Sequence, residues 1–334
     1  MSTDGDNGTG LPGRMDDFAE KLARRRLYSH VRHDEAGMTL ADYLVRYRRF
    51  DAAGWRAAVL AGSVQVNGRT ALPETRLAEH DCVAFFPGEE PEPEADLDFR
   101  TVYADESLIV FDKPADLCVH PTGPFFRHTL WHLAGRRYGE LHFVNRLDRE
   151  TSGLIVAARN RETAAKLDAR VCPMRKEYLA LVFGDLAGPV RARGKLVPDR
   201  ESAVEKKKRF IPDEAASGPD GADTELFPVR KIGSDMTLVR AVLHTGRQHQ
   251  IRATLCSLGL PVVGDKLYGP DERLFLKIRT RSFSDADRAA LRMTHQALHA
   301  ARVCFAHPAT GGTLDFRSEP EWARENAEKG AFPH

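Results

Sequence analysis

Cysteine is scarce in this chain: five occur in 334 residues, at positions 82, 118, 172, 256 and 304. The number is odd and no two are close in sequence, so neither a disulfide framework nor a Cys-based zinc site is expected, and a reducing cytoplasm is the expected location. Long apolar runs are missing too. No stretch approaches the ~20 residues of a membrane-spanning helix, so no membrane partner is expected. The first sixteen residues, rich in Gly, Asp and Thr, have no apolar centre and read as a flexible tail rather than a signal peptide. A glycine-rich phosphate loop is absent, and the strand and helix patterns form no regular βαβ repeat, so a doubly wound nucleotide-binding fold is not expected. Charge of one sign is lacking as well. The 49 Lys and Arg against 48 Asp and Glu leave a formal +1, which excludes a uniformly basic coat but not a local one.

What is present is unevenly placed. Hydrophobic residues make up 42% of the chain, enough for a substantial core in one large or two smaller domains. Residues 21–56 hold nine cations (Lys21, Arg24, Arg25, Arg26, Arg32, Arg46, Arg48, Arg49, Arg56) against four acids. Such a patch suits phosphates through counterion release, and equally suits a solvated helix face. From Met38 to Phe86 the pattern is compact: Thr39 can cap a helix with Leu40, Tyr43, Leu44 and Tyr47 on one stripe, and a second short helix runs through Trp55, Val59 and Leu60. Gly62 to Arg69 then alternates as a strand and contains Asn67-Gly68, a strong hairpin signal. Residues 87–94 (PGEEPEPE) form a stiff acidic linker. Beyond it, β-rich runs at 108–111, 154–158, 178–183 and 238–243 mix with helical patterns near 127–138, 160–170 and 248–258, which predicts an α+β domain. Residues 205–225 begin with Lys206-Lys207-Lys208-Arg209, turn polar and Gly-rich, and read as a mobile insertion.

The segment that carries chemistry is Asn145-Arg146-Leu147-Asp148-Arg149-Glu150-Thr151-Ser152-Gly153, followed by the apolar run Leu154 to Ala158. A short carboxylate between two guanidinium groups, in a turn anchored by a buried strand, is expected to stay ionised, as a nucleophile or ion-pairing group does. The bare pattern is also that of a surface salt bridge. Downstream, Thr245-Gly246-Arg247-Gln248 has the form of a capping box, with Thr245 as N-cap of a helix that closes near Gly259 and buries Ile251, Leu255 and Leu258. His295 and His299 have the spacing of two ligands on one helix face, but no Glu or third ligand completes a metal pattern, and none is expected.

The nonapeptide at 145–153 resembles the central motif of the RluA family of RNA pseudouridine synthases. Val102 to Pro114 with Val119-His120-Pro121, Lys176-Glu177-Tyr178-Leu179-Ala180-Leu181-Val182, Thr245 to Arg252 and Gly264 to Gly269 resemble further motifs in the family's order, covering roughly residues 100–310. One position departs: Asn145 stands where the family usually has His, and the nearest preceding His is at 142. Residues 38–86 resemble the small RNA-binding domain named after ribosomal protein S-four; a generic helical module has the same pattern.

The resemblance implies a pseudouridine synthase fold, a mixed and mainly antiparallel sheet with flanking helices, behind a small α/β RNA-binding domain. The expected organisation is a tail over 1–16, a basic segment and RNA-binding domain over 17–86, an acidic Pro-rich linker over 87–97, a catalytic domain over 98–320 and a tail over 321–334. The implied activity is isomerisation of specific uridines in ribosomal or transfer RNA, without a cofactor, by a monomer; the alternative is a non-catalytic RNA-binding or ribosome-assembly factor on the same fold. By resemblance, Asp148 is the catalytic carboxylate, Tyr178 lies against the base and Arg252 pairs with Asp148. The resemblance also implies that Arg146 fills the space left by the flipped uridine and that Lys113 contributes charge to the pocket wall, while Arg247, at the expected helix start, is placed to receive a phosphate.

Overall fold

The computed structural model describes residues 18–19, 22–47, 50–88, 91–168, 171–280, 282–320 and 322. The tails expected over 1–16 and, but for Trp322, over 321–334 lie outside the described residues, as do Lys21, Arg48 and Arg49 of the basic patch. The chain divides into two compact units, Met1–Pro93 and Glu94–His334.

The first unit runs β1 (Leu27–His30), α1 (Leu40–Val45), α2 (Ala52–Leu60), β2 (Val64–Val66), β3 (Arg69–Thr70) and β4 (Cys82–Phe85). Thr39 caps α1 by accepting from Asp42 N, and Asp51 caps α2 by accepting from Gly54 N, so each helix starts where a side-chain oxygen meets its loose amides. Asn67 and Gly68 take φ of 51° and 78°, the positive pair that a tight β2–β3 hairpin requires. Leu40, Tyr43 and Leu44 pack with Trp55 and Val59 on Val64, Val83 and Phe85. Part of the basic patch is already partnered: Arg32 and Arg46 converge on Glu35, and Arg56 meets Glu74.

The second unit is an eleven-stranded sheet among the described residues: β5 (Arg100–Ala104), β6 (Leu108–Lys113), β7 (His142–Phe143), β8 (Ser152–Ala158), β9 (Arg175–Phe183), β10 (Val190–Pro198), β11 (Lys208–Pro212), β12 (Gly221–Ile232), β13 (Met236–Leu243), β14 (Leu298–Ala306) and β15 (Thr313–Arg317). The order is β11-β10-β12-β13-β9-β14-β8-β6-β5, with β7 on β8 and β15 on β14. Pairing is antiparallel except between β8 and β14. Helices α3 (Leu130–Tyr138), α4 (Arg161–Lys166), α5 (Gln250–Ser257), α6 (Arg273–Thr280) and α7 (Asp285–Leu291) flank it. The fold is therefore the α+β class that the sequence pattern predicts, with the mixed, mainly antiparallel sheet that the resemblance implies.

Strands β6 and β8 are apolar without alternation because both their faces are covered. Ile109, Phe111, Ile155 and Ala157 meet Leu130 of α3 and Ile251 of α5 on one side. Leu108, Val110, Leu154 and Val156 meet Leu167 and Phe305 on the other. The expectation of a mobile insertion over 205–225 is corrected here. Lys208–Pro212 is strand β11, paired along β10 from Pro198↔Lys208 to Gly194↔Pro212, and Gly221 already belongs to β12. The polar composition hid this because one side chain, Phe210, turns inward to a cluster with Leu267 and Tyr268 and supplies the anchor.

The parallel β8–β14 contact sets the start of β8. Gly153 lies opposite Ala300 at a φ of +103°, and a Cβ there would sit 2.4 Å from the Ala300 carbonyl oxygen and 2.6 Å from its nitrogen. Gly153→Ala is expected to lower stability by about 2–4 kcal/mol, combining overpacking with the left-handed backbone cost. Urea denaturation measures this; a loss under about 1 kcal/mol, the scale of a minor repacking, would show that the two backbones separate freely.

Candidate active site

The loop between β7 and β8 carries Asp148. Its entry is clamped to the strand it precedes: Val144 N donates to Val156 O at 2.9 Å, and Val156 N donates to Asn145 Oδ1 at 2.9 Å. Asn145 is thus held by a β8 amide, while His142 sits on β7 opposite Ala158, at the far end of β8. Thr151 N donates to Asp148 O at 3.1 Å and closes the turn. Below it lies Lys113, with 0% of its surface exposed. Its ammonium donates to the carbonyls of Pro114 and Leu117 at 2.8 Å and of Arg149 at 3.0 Å. Burial pushes Lys113 down to about 7, while the three carbonyls suit the three donors of an ammonium. Lys113 was expected as a charged contact in the pocket wall; it instead ties the β6 end to the backbone of the Asp148 loop and is absent from the cleft lining.

The two arginines flanking Asp148 in sequence do not hold its charge. Arg149 pairs with Asp116 at 3.1 Å, and Arg146 is exposed at the cleft. In a tight turn neighbouring side chains diverge, so the cation comes from elsewhere. Arg252 of α5 donates from one terminal nitrogen to Asp148 Oδ2 at 2.6 Å. Its Nε and other terminal nitrogen grip Asp265 at 2.6 and 2.8 Å, a bidentate pair. Asp265, at 0% exposure, also accepts the amides of Leu267 and Tyr268. Burial alone would push the Asp148 carboxyl up; the charge of Arg252 and its hydrogen bond lead the influences that outweigh it and hold Asp148 below the usual carboxylate range. Arg252 stays cationic because Asp265 and Asp148 overcome its own burial.

The start of α5 differs from the expected capping box. The helix begins at Gln250 with His249 as N-cap, in the left-handed region at φ 60° and without a side-chain cap bond. Thr245 Oγ1 instead donates to Gln250 Oε1 at 2.9 Å and accepts from Asp223 N at 3.0 Å. The box pattern misplaced the cap by four residues because Gln250, not Gln248, folds back, accepting Arg247 N at 2.9 Å. Leu258, expected in the buried face, is 39% exposed.

Asp148, Tyr178 and Arg252 line one cleft of about 1050 Å³, together with Arg146, Arg247, Lys176 and the Leu298 side chain. That is slightly above the about 300–1,000 Å³ of small-ligand sites. Tyr178, on β9, is buried, and burial together with the Asp148 charge raises its hydroxyl, so it stands as a neutral phenol. Arg247 is exposed at the rim, donating to the Gly221 and Gly218 carbonyls at 3.1 Å. The arrangement combines a fixed carboxylate, a buried aromatic side chain and exposed cations in one cleft.

His295 and His299 share no helix. His299 is on β14, its ring nitrogens 2.9 Å from Ser152 Oγ and 3.2 Å from Ser318 Oγ. Asp265, His249 and Tyr268 were not named as site residues from the sequence. Their signal was available, since Asp265 and Tyr268 lie in the Gly264–Gly269 motif and His249 between Arg247 and Arg252, but no spacing rule brings them to Asp148.

A family model for RNA pseudouridylate synthase matches residues 107–257. The ribosomal large subunit pseudouridine synthase D of Zymomonas mobilis is 32% identical over 238 residues, 67% of this chain and 70% of that protein. An uncharacterized RNA pseudouridine synthase of Chlorobaculum parvum is 33% identical over 285 residues, covering 78% and 84%. The tRNA pseudouridine(31) synthase of Saccharomyces cerevisiae is 34% identical over 51% of this chain and 46% of its own length. Among solved structures, human RNA pseudouridylate synthase domain containing 1 shares the fold with a TM-score of 0.52 at 22% identity, covering 69% of this chain and 86% of its own.

Lys113→Met keeps the length of the side chain but leaves three carbonyls without their donor. It is expected to cost about 2–4 kcal/mol of stability, read from the shift in denaturation midpoint. A variant as stable as wild type would remove Lys113 from its anchoring role.

Proposed function

The chain belongs to the RNA pseudouridine synthase family, and from that premise we propose that it modifies ribosomal or transfer RNA with Asp148 as the catalytic carboxylate. The activity is isomerisation: the bond from ribose C1′ to uracil N1 breaks, the base turns, and C1′ bonds to C5, while the C5 proton leaves and N1 gains one. Nothing is oxidised and no group enters from outside, so the reaction calls for no cofactor. Its demands are a carboxylate at the sugar and base, a surface that holds the detached ring, and cations that control charge. The observation that carries the reading is Asp148, held ionised by a 2.6 Å bond from Arg252 in the cleft that Tyr178 also lines.

Each route to pseudouridine, whether the carboxylate attacks the sugar, attacks the base or supports a glycal, starts from that ionised group. Arg252 sets its direction and charge. Tyr178, a neutral phenol on a rigid strand, offers a face for the uracil and an oxygen near C5. A uridine within folded RNA must swing out of its stack, at a cost of a few kcal/mol. Exposed Arg146, beside Asp148, is placed to fill the vacated space, and Arg247 at the rim to meet a phosphate.

For the first unit we propose an S-four-like RNA-binding role. Its two capped helices, its hairpin and the excess of cations over acids between residues 21 and 56 support it, and the exposed Arg56–Glu74 pair is of the weak kind that phosphates can replace. The protein is read as a cytoplasmic monomer with RNA as its partner.

Asp148→Asn is expected to abolish pseudouridine formation while RNA affinity stays within about threefold, a change of about 0.7 kcal/mol or less. Carbodiimide mapping of cellular RNA together with filter binding reads both; full modification by the variant would overturn the assignment. Removing residues 1–93 should leave a folded, RNA-modifying second unit with raised KM and a shallower salt dependence of binding. An unchanged salt slope would contradict the RNA-binding role of the first unit.

A further inference from the structure

Arg252 takes only one oxygen of Asp148, and a single bond leaves the carboxylate free to rotate about Cβ–Cγ. The other oxygen, Oδ1, faces His249 Nε2 at 3.8 Å, longer than a hydrogen bond and of the kind that tightens when substrate fills a site. His249 is fixed from its other side. Its Nδ1 lies 3.0 Å from Tyr268 Oη, and the two rings meet edge to face at 5.5 Å. Tyr268 Oη in turn accepts the Lys208 amide at 2.8 Å.

These contacts select a tautomer. A phenol carries one proton; with Lys208 donating to its oxygen, that proton goes to Nδ1, and the ring's own proton then sits on Nε2, toward Asp148. The opposite tautomer would aim two donors at one phenol oxygen and turn a nitrogen lone pair on a carboxylate. Burial and the Arg252 charge push His249 down to about 4, so the ring is neutral at physiological pH. Its backbone holds φ 60° without a cap bond, a conformation that costs a non-glycine residue about 1–2 kcal/mol. The ring is committed to the site rather than to the helix end.

We infer that His249 is a positioning residue, an Nε2–H donor that fixes the plane of Asp148 through Oδ1 without adding charge, with Tyr268 setting its tautomer. Arg252 supplies the charge and His249 the orientation. Because Tyr268 is held by the first amide of β11, the β10–β11 hairpin is coupled to the aim of the carboxylate. The inference rests on Asp148 being the catalytic carboxylate.

Nitrogen-15 NMR of the full-length protein labelled at histidine tests the tautomer directly. Nδ1 of His249 is expected at the shift of an unprotonated acceptor, and Tyr268→Phe is expected to mix the tautomers; a protonated Nδ1 in the wild type overturns the inference. Single-turnover kinetics on unmodified ribosomal and transfer RNA transcripts supplies the second readout. His249→Gln places an amide donor where Nε2 was and should retain the wild-type rate. His249→Asn reproduces only Nδ1 and should lose about ten- to a hundredfold in rate with RNA affinity unchanged, the loss of one hydrogen bond to a charged group. Equal rates in the two variants overturn the inference. If the wild type converts no uridine, the reading of Asp148 as catalytic fails, and the nitrogen shifts still decide the tautomer.

Discussion

One guanidinium organises the candidate active site. Arg252 is buried at 9% side-chain exposure between two carboxylates, and its planar fork allows it to grip Asp265 with two nitrogens while the third reaches Asp148. A buried cation of this kind contributes little net stability by itself, since desolvation offsets much of its attraction. What it supplies is direction. Asp265 takes two backbone amides as well, so the far end of the fork cannot drift, and the near end presents a charge at a fixed point.

Around that pair, the backbone is constrained from below and above. The Lys113 ammonium fastens the Asp148 loop to the end of β6, and Asn145 fastens it to β8. The loop's far side meets Lys266, whose ammonium pairs with Glu150 at 2.8 Å and so joins the Asp148 turn to the segment that carries Asp265. Carboxylate and guanidinium, 104 residues apart in sequence, therefore sit on a frame that is closed at every corner. Preorganisation of this sort fixes a charge in place without reorganisation of its surroundings.

The broad outline was legible from local pattern. Unbroken apolar runs at Leu108–Phe111 and Leu154–Ala158 announce doubly covered strands, Thr39 announces a helix start and Asn67-Gly68 a hairpin, because each is a short-range rule about backbone and burial. Where those rules failed, a distant contact had overridden them. The 205–225 stretch reads as a mobile insertion until Lys208–Pro212 is seen to pair with β10 and Phe210 to turn toward Tyr268. The cap at Thr245 looks complete until Gln250 folds back and His249 takes the left-handed turn.

Residue identity alone determined that a short carboxylate stands in a turn before a buried strand, that Tyr178 lies on an apolar strand and that Arg252 lies on a helix. Those are properties of segments, and the ordered motifs made their meeting an expectation. Which cation meets the carboxylate was decided only in three dimensions. Arg146 and Arg149 are its sequence neighbours, yet Arg149 turns to Asp116 and Arg146 is exposed in the cleft, and the partner arrives from a helix more than a hundred residues on, carried there by the pairing of β9 with β13 and β14. Charge acts through space, and chain order records distance along the backbone only.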